Sequence, residues 1–128
     1  MLTLDMVREA QEALRGIARR TPLDRAPKFG ENVYIKAENL QLTGAFKLRG
    51  AYNKIRSLTP EEAARGVIAC SAGNHAQGIA LSASRLGIKA VIFALPPRRQ
   101  SGAVRSRCQM WSCWLPSPAP GRMWSAWA

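Results

Sequence analysis

The alternation of apolar and polar positions divides the chain into a short series of elements. Val7, Ala10, Leu14 and Ile17 recur at three- and four-residue steps, which predicts a helix from a Thr3 cap to about Arg19 with one buried stripe. Pro22 ends it, because proline disfavours helix at the residue before it. Pro27 and Gly30 keep the next stretch as loop, and Val33 to Lys36 reads as a short strand. A helix is expected from Leu48 to Ile55, just after Lys47. Thr59-Pro60-Glu61-Glu62 is a helix start with a hydroxyl cap, a first-turn proline and a glutamate that closes a capping box.

Val67 to Cys70 and Ala90 to Leu95 are continuous apolar runs, as expected for strands buried on both faces. Between them, His75 to Leu86 reads as a helix with Ile79, Ala80, Ala83 and Leu86 inside, stopped by Gly87. Strand, helix and strand with short loops predict a βαβ unit: parallel strands joined by a right-handed crossover. The fold class expected is α/β, with an open parallel sheet.

Two stretches carry candidate chemistry. The first is Thr43-Gly44-Ala45-Phe46-Lys47-Leu48-Arg49-Gly50-Ala51-Tyr52. A lysine amine is a nucleophile only when unprotonated, and both apolar neighbours and the positive end of a helix disfavour its ammonium form. Those conditions suit a Schiff-base lysine. A helix-start lysine pointing into water has the same local sequence. The second is Ser71-Ala72-Gly73-Asn74, at the carboxyl end of a parallel strand and a helix amino terminus, where open α/β sheets bind ligands and free N–H groups suit an anion. An ordinary βα turn reads the same way.

Together the two stretches resemble the fold-type II pyridoxal phosphate enzymes (tryptophan synthase β-like), and within them the threonine and serine dehydratases, with serine racemases as near relatives. Lys36-Ala37-Glu38-Asn39-Leu40-Gln41, the lysine stretch, Ser71-Ala72-Gly73-Asn74-His75-Ala76-Gln77-Gly78 and Arg20-Thr21-Pro22-Leu23 all fit, so residues 1 to about 95 follow the family pattern. The resemblance implies pyridoxal 5'-phosphate as cofactor and an amino acid as substrate. Lys47 would carry the cofactor covalently and later move the substrate α-proton. Phe46 would pack near the cofactor ring, and Asn74 would hydrogen-bond its phenolic oxygen. Ser71, Ala72, Gly73 and His75 would hold the substrate carboxylate. The implied reaction is dehydration and deamination of L-threonine or L-serine to a 2-oxo acid and ammonia, a lyase reaction of amino-acid metabolism such as isoleucine biosynthesis. Ala72 stands where a racemase is expected to carry a second serine, which favours dehydratase. A racemase-like enzyme and a non-catalytic carboxylate- or amino-acid-binding fragment are the alternatives.

Composition changes this picture beyond Leu95. Residues 96–128 hold all four Trp, five of the eight Pro, and five Arg with no acid, and no helical or strand period is evident there. In place of the family's expected Gly-Ala-Asp-Val-Val-Leu strand stands Gln109-Met110-Trp111-Ser112. Met and Trp each have one codon. If Gln109 is CAG and Ser112 is TCN, another frame reads GAT GTG GTC, which is Asp-Val-Val. The tail is therefore expected to be frameshifted or disordered. The glycine-rich phosphate loop and the partner of the pyridine nitrogen are expected downstream, so this chain should be inactive or nearly so.

The formal net charge of +11 would suit nucleic acid, yet the basic residues do not line one helical face with interleaved aromatics, and no nucleic-acid partner is expected. No run of about 18 apolar residues suggests a membrane span. Met1 to Asp5 lacks a basic region followed by an apolar core, so no signal peptide is expected. Cys70, Cys108 and Cys113 lack zinc-like spacing, His75 stands far from the latter two, and no metal is expected. A cytoplasmic setting and a homo-oligomeric parent enzyme complete the expectation.

Overall fold

A computed structural model describes residues 1–71, 73–94 and 109–113. Helix α1 spans Leu4–Ala13, and the Thr3 hydroxyl accepts from the Met6 N–H at 3.3 Å, the expected cap. None of its residues is buried. Val7 is 48% exposed, so the predicted stripe finds no complete partner here. Strands β1 (Leu23–Arg25) and β2 (Tyr34–Lys36) pair antiparallel, with Leu23 opposite Lys36. β1 and a 3₁₀ turn at Pro27–Phe29 occupy the stretch expected to be loop alone. Leu23-Asp24-Arg25 has none of the β-branched or aromatic residues that mark β2.

Helix α2 spans Lys47–Arg56 and buries Leu48, Ala51 and Ile55, the one-, four- and eight-residue positions of a single stripe. Helix α3 (Pro60–Arg65) carries the complete capping box: the Thr59 hydroxyl accepts from the Glu62 N–H at 3.2 Å, and the Glu62 carboxylate accepts from the Thr59 N–H at 2.9 Å. Strand β3 (Val67–Cys70), helix α4 (Asn74–Leu86) and strand β4 (Ala90–Ala94) form the expected unit. β3 and β4 run parallel, with Val67 opposite Ala90 and Cys70 opposite Phe93. Gly87 ends α4 at φ 67°, in the left-handed region that favours glycine.

The core joins α2, α4 and the two parallel strands through Ala51, Ile55, Ala69, Ile79, Ala83 and Ala90. Alanine dominates it, so the helices approach closely. The expectation that β3 is buried on both faces fails: Ile68 is 76% exposed and Cys70 is exposed. In the described three-stranded sheet the order is β3-β4-β5, which leaves β3 at an edge. Strand β5 (Gln109–Cys113) pairs antiparallel with β4, Ala90 opposite Cys113. It lies inside the stretch for which no period is evident, and the sheet is accordingly mixed rather than wholly parallel.

Candidate active site around Lys47

Lys47 is the first residue of α2, with Phe46 at the cap position and no side-chain cap on the helix. Its ammonium group stands 4.8 Å from the centre of the Phe46 ring, a cation–π contact. Lys47 is exposed and Phe46 is 58% exposed, so the desolvation expected from the apolar neighbour is not supplied by the described residues. The expected helix boundary moves by one residue, which puts Lys47 inside the first turn.

Helix α4 brings the second stretch to the same place. Its cap residue Gly73 offers no side chain, and neither α4 nor α2 has an acid in its first turn. Both positive helix ends therefore lack an acid of their own first turn. Gly78 marks where they meet. A Cβ built there would stand 3.1 Å from both the carbonyl carbon and oxygen of Lys47, and 3.2 Å from the Leu48 nitrogen. A side chain there would press on the Lys47 backbone, so glycine suits the approach. Gly78 is four residues after Asn74, about one helical turn, so the Lys47 backbone lies about one turn from the start of α4. The buried Ser82 hydroxyl donates to the Gly78 carbonyl at 2.6 Å.

The loop itself is anchored by the Ser71 N–H, which donates to the Phe93 carbonyl of β4 at 2.9 Å. The Gly73 N–H donates to the Ser71 hydroxyl oxygen at 3.4 Å. Gly73, Asn74 and His75 are exposed and Ser71 is half-buried. Ala72 lies outside the described residues.

A polar frame on the approach to Lys47 was not singled out from the sequence. Glu38, in a 3₁₀ turn at Glu38–Leu40, accepts from Arg49 Nε at 2.9 Å and Nη2 at 2.7 Å, and from the Thr21 hydroxyl at 2.6 Å. The Arg49 guanidinium, with help from Thr21 and Gln41, holds the Glu38 carboxyl at about 2, although burial pushes the other way. Arg49 is raised in turn by the same pair. Buried Gln41 accepts from the Arg19 N–H at 2.8 Å and donates to the Arg19 carbonyl at 3.0 Å. Lys36 Nζ donates to the Thr21 carbonyl at 2.6 Å. The signal available beforehand was the charge pattern Lys36, Glu38 and Arg49 within motifs quoted only as a resemblance.

The chain matches the family described as pyridoxal-phosphate dependent enzyme over residues 14–112, and it belongs to that family. The resemblance to fold-type II enzymes is borne out, and the match runs past residue 95 into the stretch of altered composition. L-threonine ammonia-lyase of Thermotoga maritima is 52% identical over 96 residues, which cover 72% of this chain and 24% of that protein. Among solved structures, maize serine racemase is 39% identical at a TM-score of 0.64, covering 71% of this chain and 29% of its own. Threonine deaminase isoform 2 of Solanum lycopersicum is 40% identical at a TM-score of 0.57, covering 73% and 30%. The chain therefore spans about a quarter of the length of the curated relative.

Pyridoxal phosphate, the family's cofactor, is an aldehyde with an anionic phosphate. A primary amine beside two helix ends free of first-turn acids fits its aldehyde and its charge. No described helix is long and apolar enough to cross a membrane.

Proposed function

We propose that this chain carries the cofactor-attachment segment of a pyridoxal phosphate-dependent L-threonine/L-serine ammonia-lyase. The observation that supports the reading is the close approach of Gly78 to the Lys47 backbone, about one helical turn beyond Asn74. When bound, the cofactor supplies an electron-withdrawing ring that stabilises negative charge at the substrate α-carbon. Lys47 would hold the cofactor covalently through Nζ, and the same amine would take the substrate α-proton. Asn74 would hold the cofactor's ring oxygen through its side-chain amide, and Phe46 would lie against the ring. Ser71, Ala72, Gly73 and His75 receive the substrate carboxylate at the uncapped end of α4.

The whole protein converts L-threonine or L-serine to a 2-oxo acid and ammonia, in the cytoplasm and as a homo-oligomer. This chain, with an exposed Lys47, attaches the cofactor but does not turn over substrate. The serine racemase structure among its neighbours favours one second reading, a racemase-like parent. Titration with pyridoxal phosphate tests attachment: an imine absorbance band should grow in the parent chain and be lost in Lys47→Ala. Assays for 2-oxo acid and for D-serine should both stay at background. An equal band in Lys47→Ala would overturn the reading.

The stretch after residue 95 we read as the product of a shifted frame. Sequencing the gene decides it, because a family-like continuation in another frame after codon 95 is required.

A further inference from the structure

Lys47 is held from two sides, and we propose that Glu38, Arg49 and Gly78 are positioning residues that fix the direction in which the Lys47 amine leaves helix α2. The inference rests on the reading of Lys47 as the attachment point.

Arg49 follows Lys47 by two residues in the first turn of α2. Two residues on an α-helix point about 200° apart, so a grip on Arg49 turns Lys47 to the opposite side. The grip is a fork: Nε and Nη2 of Arg49 donate to the two oxygens of Glu38 at 2.9 and 2.7 Å, and Nη2 also donates to the Arg19 carbonyl at 3.1 Å. Two parallel bonds fix rotation as well as distance, which a single contact does not. Glu38 is itself oriented by the Thr21 hydroxyl at 2.6 Å, and its side chain is only 14% exposed. Gln41 ties the Arg19 backbone to the same loop through paired bonds of 2.8 and 3.0 Å. On the other flank Gly78 abuts the Lys47 carbonyl, and the atoms that a Cβ would meet are backbone atoms that cannot rotate away. Lengthening either flank would redirect the amine, and attachment chemistry is sensitive to displacements of about 1 Å.

A staple that merely stabilises the fold predicts lost stability with no change in lysine selectivity, so the test reads both. The full chain is treated with pyridoxal phosphate and borohydride, and the share of label at Lys47 is compared with that at Lys28, Lys36, Lys54 and Lys89. Amide hydrogen exchange is followed at residues 47–50, and helix content by circular dichroism. Arg49→Gln removes the fork without adding an amine that could itself take label, Gly78→Ala adds the obstructing methyl, and Glu38→Gln is the milder variant should either fail to fold. Arg56→Gln is the control: Arg56 lies at the far end of α2, bonded to exposed Glu9 at 3.3 Å.

With helix content retained, the share at Lys47 should fall on the order of tenfold or more and exchange at 47–50 should quicken, while Arg56→Gln changes neither. An unchanged share with unchanged exchange overturns the proposal, as does a fall of equal size in the control. If the parent chain shows no preference for Lys47, the attachment reading fails, and exchange at 47–50 alone then decides whether the frame positions this turn.

Discussion

Glu38 accepts from Thr21 and twice from Arg49, and these bonds are what an acid solution removes. Its folded pKa of about 2 lies below the ordinary 4.5. A depressed carboxylate contributes stability that is present above the unfolded value and lost as pH falls through the folded one. The melting temperature should therefore drop between about pH 4.5 and pH 2, and thermal scans of Glu38→Gln should show a flatter decline over that window. An equal decline in the variant would mean that other carboxylates dominate. Leu48, fully buried beside Lys47, sets the other residue-level expectation: Leu48→Ala should cost about 2–5 kcal/mol by urea unfolding. The motif positions were legible as motifs. Their contacts were not, because Glu38 and Arg49 lie eleven residues apart in the chain and meet only through the turn between them.

Among the elements, those with a long period or a complete cap were readable in advance. Helix α4 declared itself through Ile79, Ala80 and Ala83, and α3 through its capping box, which is present in full. Thr59→Ala should remove that cap and cost about 1 kcal/mol, read as a lower urea midpoint at unchanged slope. Strand β1 escaped notice because Leu23-Asp24-Arg25 lacks the β-branched and aromatic residues that mark β2, although both strands are three residues long. The stripe of α1 was read correctly as apolar and wrongly as buried: periodicity reports which face is greasy, while burial depends on what covers it. The same reason explains β3, whose apolar run faces open space at Ile68.

At the scale of the whole molecule, the stretch matched to L-threonine ammonia-lyase covers 24% of that protein. Val7 and Ile68 are among this chain's exposed apolar positions. An edge strand with an exposed isoleucine also invites association. Sedimentation should therefore find self-association that Ile68→Lys reduces, with stability changed by no more than about 0.5 kcal/mol because the site is already open. Unchanged association in that variant would remove the β3 edge from consideration. Within this open framework the α2–α4 junction is the best-packed region, joined by Ala51, Ile55, Ile79 and Ala83 and closed by Gly78 against Lys47. If Lys47 is the attachment point, this junction singles out one amine among five.

Peptide mapping of the borohydride-reduced complex tests that claim most directly. Label concentrated on Lys47, in preference to Lys28, Lys36, Lys54 and Lys89, is the predicted result. Label scattered over the five lysines, or absent from Lys47, would contradict it.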